Sequence, residues 1–471
     1  MTWNTAADLL RDITDPNGRE IFDPATGELI GKAPVATEAD LDAAIARAEA
    51  AQRAWAARPL TERNELLTKA AAAIEENAEA LAELLSREQG KPLNGPNARF
   101  EVGACAAWFN ATASFELEDE VLVDDETQRS VLTYDPIGVV GAISPWNWPM
   151  MISVWQWAPS LKMGNTVVAK PASSTTLSVL ALGLVVNSVL PEDLLIVVPA
   201  SGRIASVLAS DERIGKVMFT GSTEVGKTIA REAANSVARV TLELGGNDAG
   251  IVLDDVNPAE IAEGLFWGAF INTGQTCAAL KRLYVPASIY DEVVDAVAKV
   301  ASEMPMGVGL DEQNVLGPLQ NREQYEIVEK LVDAARDSGA RIVTGGNPDA
   351  DQPGFFYPAT IVADIDNSNP LVAEEQFGPA LPIIKYDTLD QAIEWANELS
   401  VGLGSSVWSS NPDRALEVAS RLIAGTTWVN SHGTLHPAVP FGGAKQSGYG
   451  VEFGVEGLKQ VAQPHVITVQ K

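Results

Sequence analysis

From residue 138 to residue 429 the chain alternates between short apolar runs rich in β-branched residues and longer segments with helical periodicity. This rhythm admits few folds. Residues 139–143, 166–170, 194–198, 216–220 and 240–244 form one set of runs, and residues 249–253, 282–285, 341–343, 360–362, 381–386, 405–408 and 426–429 a second. Strands that are apolar on both sides must be covered on both faces, and strands joined through helices run parallel. Each set therefore predicts a parallel sheet between helical layers, an α/β class fold. The two lobes are expected to meet near Gly245-Gly246. A chain of 471 residues implies two or three domains, and a hydrophobic fraction of 46% supplies their cores.

The N-terminal third reads as helical. Thr37 and Asp40 form a capping box ahead of an Ala-rich helix reaching about residue 57. A second helical run, from 61 to about 88, stops at Gly90-Lys91-Pro92. Residues 115–135 and 463–471 alternate like exposed strands, whose free edges invite pairing with another subunit. Residues 138–161 carry no charge and are long enough to span a bilayer, but Pro145, Pro149, Pro159, Asn147 and Gln156 interrupt them. A buried strand, a loop and a buried helix are expected there.

A net charge of −30 argues against nucleic acid and anionic membranes as partners, since both need a basic face. Cys105 and Cys277 are too few for a disulfide framework, which predicts a cytoplasmic protein. The first residues have neither the basic nor the apolar region of a secretory signal. No metal is expected.

Gly274-Gln275-Thr276-Cys277 places one of the two thiols beside small, flexible neighbours. Thr241-Leu242-Glu243-Leu244-Gly245-Gly246 places a carboxylate in an apolar run. A lone thiol and a lone carboxylate suggest covalent catalysis followed by general-base hydrolysis. A structural cysteine with a salt-bridged glutamate is the alternative. Gly274 weighs against it, because glycine lets the backbone approach a ligand closely. The histidines are His432, His436 and His465. They read as surface or loop residues, so a Cys–His pair is not favoured.

Three further blocks lie at predicted strand ends, where α/β folds bind nucleotides. They are Pro145-Trp146-Asn147-Trp148-Pro149, Lys170-Pro171-Ala172-Ser173 and Phe219-Thr220-Gly221-Ser222-Thr223-Glu224-Val225-Gly226. The last suits a pyrophosphate at a helix N-terminus, or equally a plain glycine turn with Ser222 as N-cap.

In this order, these blocks resemble the aldehyde dehydrogenase superfamily. Gly164-Asn165-Thr166, Glu374-Glu375-Gln376-Phe377-Gly378-Pro379 and Pro440-Phe441-Gly442-Gly443-Ala444-Lys445-Gln446-Ser447-Gly448 extend the likeness from about residue 20 to the C-terminus. The resemblance implies an NAD(P)-dependent, non-acylating enzyme that oxidises a small aldehyde. Cys277 would be the nucleophile and Glu243 the base, with Asn147 and the Cys277 N–H holding the oxyanion. Cofactor contacts would fall on Ser144, Pro145, Trp146, Lys170, Ser173, Gly221, Ser222, Gly226, Leu244, Glu375 and Phe377. Ser173 stands where many NAD-preferring members carry Glu, which removes a repulsion from a 2′-phosphate. NADP is therefore expected alongside NAD. Glu452 matches a carboxylate that some members use as a proton relay, or it is an ordinary helix-start charge. Ala249 replaces a proline frequent in the family.

The aldehyde tunnel would be lined by Trp148, Ile152, Trp155, Ile271, Thr276, Ala278, Leu435 and Phe441, none of them charged. This implies an uncharged aliphatic or aromatic substrate. Arg282 is the nearby cation in sequence, and if it faced the tunnel the enzyme would suit a semialdehyde of the succinate semialdehyde type. A thiol-dependent esterase or acyltransferase without redox chemistry is a further alternative, as is a CoA-acylating enzyme. The resemblance further implies a Rossmann-like cofactor domain (1–117 and 137–245), an α/β catalytic domain (246–446) and a small β extension (118–136 and 447–471). The extension would serve a homodimer or homotetramer.

Overall fold

The computed structural model describes residues 2–349 and 351–471; Met1 and Ala350 lie outside the described residues. Two sheets organise it. The first runs, in spatial order, Gly448–Tyr449, Arg239–Glu243, Ile214–Thr220, Val139–Ile143, Thr166–Lys170 and Leu195–Val197. All its pairs are parallel except the outermost, where Gly448 lies antiparallel opposite Glu243. The second runs Arg341–Thr344, Thr360–Ala363, Ala380–Tyr386, Leu280–Pro286, Asp248–Val252, Gly404–Trp408 and Thr426–Val429, with Arg341–Thr344 alone antiparallel. Apart from Gly448–Tyr449, these are the expected strands, with ends shifted by one or two residues. Val139–Ile143, Thr166–Lys170 and Asp248–Val252 are buried at every position, which is why they read as continuous apolar runs.

The first sheet has a point where its winding reverses. From Val139–Ile143 the chain proceeds through Thr166–Lys170 to Leu195–Val197 on one side, then returns to build Ile214–Thr220 and Arg239–Glu243 on the other. Such a reversal opens a crevice at the C-terminal strand ends, between Ser144 and Gly221. After Glu243 the chain crosses directly into the second sheet at Asp248.

The helix Glu38–Ala56 starts as expected: Thr37 Oγ1 accepts the Asp40 N–H at 3.2 Å, and the Asp40 carboxylate accepts the Thr37 N–H at 2.8 Å. The run from 61 to 88 is two helices, Leu60–Glu76 and Ala78–Gln89, broken at Asn77. The Asn77 amide donates to Ala73 O at 2.7 Å, and its oxygen accepts the Trp3 N–H at 2.6 Å. An asparagine that bonds the backbone in this way competes with the helix ladder, and an apolar stripe continuing on both sides conceals the break. The uncharged stretch is a strand, a loop and the helix Pro149–Lys162, as expected. Among the described residues no helix is long and apolar enough to cross a membrane.

Glu120–Asp124, Gln128–Pro136 and Ala462–Gln470 form a separate three-stranded antiparallel sheet. Val466, Ile467 and Val469 are exposed on it. Of residues 447–471, the pair 448–449 joins the first large sheet, Gly454–Gln460 is a helix, and 462–470 make up the third strand.

Candidate active site

The segment that carries Cys277 is held in an unusual backbone path. Helix Pro258–Phe270 ends in a tight turn where Asn272 and Thr273 adopt left-handed φ of 51° and 55°, followed by Gly274 at 76°. A β-branched residue there is strained and persists only when its surroundings hold it. Thr273 Oγ1 accepts the Gly317 N–H at 3.0 Å and donates to Gly317 O at 3.2 Å. The Gln275 side chain donates to Asn272 O and accepts the Gln320 N–H. The close approach that requires Gly274 is to protein, not to a ligand: a Cβ there would lie 2.2 Å from Gly378 O. This corrects the sequence expectation and ties the cysteine turn to the Glu374–Pro379 segment.

A cavity of about 430 Å³ opens at the winding reversal of the first sheet. Cys277, Glu243 and Asn147 line it together with Ser144, Pro145, Trp146, Lys170, Gly221, Ser222, Leu244, Glu375 and Phe377. Two expected contacts lie elsewhere. Gly226 packs against the wall from behind, where a Cβ would meet Leu244 at 2.4 Å, and Val225 lines the cavity instead. Ser173 faces a neighbouring recess of about 860 Å³ between the N-terminal hairpin and residues 352–356, which contains neither Cys277 nor Glu243. Arg19 donates to the Ser173 carbonyl. Ser222 caps helix Thr223–Ser236 by accepting the Val225 N–H at 3.4 Å and also lines the cavity. Trp146 and Phe377 meet edge to face, with ring centroids 5.4 Å apart.

Burial shifts the ionisable groups toward their neutral forms. The Cys277 thiol is pushed up to about 12 by burial and then by the charges of Glu375, Asp248 and Glu243. Glu243 is raised well above the usual carboxylate range by burial and by Glu452, and neither of its oxygens has a hydrogen-bond partner in the protein. Glu452 is no exposed helix-start charge: it is 2% exposed, bridges to Phe441, and has one unpartnered oxygen. Burial pulls Lys170 down to about 8, and its Nζ donates to Pro171 O at 3.0 Å.

The Asn147 Nδ2 donates to Gln275 O at 2.9 Å. An amide nitrogen has two hydrogens, so one remains to point elsewhere. Among the described residues the Cys277 N–H has no protein acceptor.

The residues expected to line the aldehyde tunnel belong to or border one large apolar cluster, which Cys277 also borders. Cys277, Ile271 and Leu435 are partly buried and pack against the apolar cluster that contains Trp148, Ile152, Trp155, Ala278 and Phe441. Thr276 Oγ1 accepts the Trp148 indole N–H at 2.9 Å. Trp108 and Phe453 complete the aromatic wall, with Phe453 4.7 Å from Trp155 and 5.9 Å from Phe441 between centroids. Sequence reading missed both, because they come from distant helical and loop segments with no local signal.

Arg282 is committed elsewhere. It is 3% exposed, and its guanidinium donates to Asn247 O, Trp395 O, Ala396 O and the Tyr284 hydroxyl. His432 lies in a loop, as expected, but not at the surface. It is buried, with Nδ1 2.9 Å from Ser406 Oγ and Nε2 3.6 Å from an Asp248 oxygen. Among the described residues no cluster of metal-ligating side chains occurs.

Comparison with known proteins accords with this architecture. The model of the aldehyde dehydrogenase family matches residues 13–467. Geranial dehydrogenase from Castellaniella defragrans is 37% identical over 444 residues, covering 93% of this chain and 92% of the relative. The solved NAD+ complex of an aldehyde dehydrogenase from Bacillus cereus is 34% identical, with a TM-score of 0.92, covering 96% of this chain and 93% of its own. An NADP-dependent enzyme of E. coli is 32% identical, with a TM-score of 0.93, covering 96% and 94%.

Proposed function

Because the chain belongs to the aldehyde dehydrogenase family, we propose that it oxidises uncharged aliphatic or aromatic aldehydes to carboxylic acids through covalent intermediates on Cys277. It is an NAD(P)-dependent aldehyde dehydrogenase. The observation that carries the substrate reading is the setting of the thiol. Cys277 lines the cavity with Glu243 and packs against an uncharged apolar cluster, while Arg282 is spent on backbone carbonyls. A substrate carboxylate among these groups would be buried without a partner, which costs at least several kcal/mol. The relative named for geranial, itself an uncharged aldehyde, supports the same reading.

The cavity suits a dinucleotide. It offers a buried cation, Lys170, whose Nζ has a single carbonyl partner, the N-terminus of helix Thr223–Ser236, and the Glu375 carboxylate. Lys170, Gly221, Ser222, Leu244, Glu375 and Phe377 are the residues that would hold it. When bound, the oxidised cofactor accepts hydride and adds positive charge to the cavity. Cys277 adds to the aldehyde carbon, giving a thiohemiacetal whose oxygen is held by the free Asn147 hydrogen and the Cys277 N–H. Loss of hydride leaves a thioester. The deprotonated form of Glu243, free of protein hydrogen bonds, takes a proton from water, which attacks the thioester carbon and releases the acid. Glu452, whose charge bears on Glu243, would receive that proton.

The solved relatives, one an NAD+ complex and one an NADP-dependent enzyme, support use of NADP beside NAD. The exposed edges of the three-stranded sheet support a homodimer or homotetramer, and the two free thiols, Cys105 and Cys277, a cytoplasmic setting.

A panel of aldehydes of increasing chain length, assayed with NAD and with NADP, tests the reading. Medium-chain and aromatic aldehydes should exceed succinate semialdehyde in kcat/KM, with a visible chain-length optimum, since one methylene is worth ~1–3 kcal/mol. A clear preference for succinate semialdehyde overturns the substrate class. Thioester hydrolysis without NAD(P)H production from any aldehyde overturns the redox assignment.

A further inference from the structure

The Ser144–Pro149 segment connects a strand to helix Pro149–Lys162, and its two prolines, Pro145 and Pro149, contribute no backbone N–H. Its carbonyls must therefore find donors elsewhere. Asn147 O has two. Asn272 Nδ2, on the cysteine turn, donates to it at 2.9 Å, and Lys91 Nζ donates to it at 2.8 Å. Lys91 is 1% exposed and forms an ion pair with Glu101 at 2.5 Å in which both side chains are fully buried. The other Glu101 oxygen accepts the N–H groups of Met150 and Met151 at 2.9 and 3.1 Å. The helix that begins at Pro149 has no side-chain cap of its own, so Glu101 satisfies its orphan donors and places a negative charge at its N-terminus. The ammonium also lies 3.6 Å from the Trp148 ring centroid.

A buried ion pair is weak evidence for stability, because desolvation offsets its attraction. This one touches the peptide that presents Asn147, and touches it from both ends. We propose that Lys91 and Glu101 are positioning residues for the reaction: their buried pair fixes the Asn147 carbonyl and the first turn of the following helix, and so aims the Asn147 amide at the oxyanion. The inference rests on the reading of Asn147 as oxyanion donor. Misplacing a catalytic group by about 1 Å costs ~10²-fold in rate, and deleting an oxyanion donor costs ~10²–10³. Removing the support should fall between no loss and deletion.

The test is a double-mutant cycle on the full-length enzyme with a good aldehyde substrate and saturating cofactor. Lys91→Met should lower kcat by about 10–100-fold, with KM and the cofactor dissociation constant within about threefold of wild type. The rate of Cys277 alkylation by iodoacetamide, read by intact mass, should not change. In the Asn147→Ala background, Lys91→Met should cost less than about twofold more, because the group it positions is gone. If Lys91→Met fails to fold, Glu101→Gln keeps the side-chain shape and should show the same split between kcat and KM with a smaller loss. Unchanged kcat, a parallel collapse of kcat and cofactor affinity, or a full multiplicative loss in the Asn147→Ala background overturns the proposal. Full turnover by Asn147→Ala alone would instead overturn the oxyanion reading on which it rests.

Discussion

Replacing Glu243 with glutamine separates the two halves of the reaction. The substitution keeps the side-chain length and removes the ability to accept a proton from water. Neither Glu243 oxygen has a hydrogen-bond partner in the protein, so no native hydrogen bond is lost. The carboxyl is 4% exposed and is raised well above its ordinary value of 4.5 by burial and by Glu452. Folding therefore suffers little, and catalysis carries the effect. General-base assistance is worth ~10²–10⁴ in rate, equivalent to about 2.7–5.4 kcal/mol at 1.36 kcal/mol per tenfold. The expected record is a burst of NAD(P)H near one per site, a slow steady state, and an acyl adduct on Cys277 by intact mass. Stability gives a second, independent signal. In the window above 4.5 the folded wild type holds a proton on Glu243 that the unfolded chain has released. Wild-type stability must then fall as pH rises through that window. Glu243→Gln has no such proton, so its melting temperature should gain on wild type as pH increases. Loss of the burst together with the steady state would refute the base assignment and move Glu243 to a step before hydride transfer.

Other changes follow from the same geometry. Cys277→Ser should abolish aldehyde oxidation and leave cofactor binding, measured by fluorescence titration, within about twofold, because an alkoxide is far harder to form than a thiolate in this histidine-poor site. Wild type should turn over NADP as well as NAD, followed by NAD(P)H absorbance with each cofactor; no turnover with NADP would defeat the expectation of dual use, and Ser173→Glu, on the neighbouring recess, should leave the ratio of the two activities unchanged. Arg282→Ala orphans the Asn247, Trp395 and Ala396 carbonyls. It should cost roughly 3 kcal/mol or more in denaturant unfolding, with the ratio of octanal to succinate semialdehyde activity unchanged.

Local chemistry made much of this legible in advance. The doubly buried strands announced themselves as continuous apolar runs, and the Thr37 capping box gave a helix start to the residue. Cys277 and Glu243 stood out because a lone thiol and a carboxylate in an apolar run are chemically out of place. What sequence could not supply is partnership across distance. Nothing near Gly274 says that Gly378 O will lie against it, and nothing near His432 points to Asp248. Arg282 illustrates the limit most clearly. Proximity to Cys277 in sequence made it a candidate substrate anchor, but residue 282 alternates away along its strand and meets carbonyls from residues 247, 395 and 396. Ser173 and Gly226 show the same limit on a smaller scale, since a shared motif does not say which of its residues face the cavity.

Helix Pro149–Lys162 begins two residues after Asn147 and carries Ile152 and Trp155 on its next turns. The helix thus carries part of the proposed substrate surface and, just ahead of its first turn, the proposed oxyanion donor. Selection acting on one property therefore drags the other with it. A lineage, or a laboratory library, that enlarges the pocket at Trp155 will tend to shift the helix and lose turnover before it gains a new substrate. Phe441 and Leu435, which come from a separate loop, are free of that linkage. Diversification begun there should yield altered substrate ranges at the least sacrifice of rate.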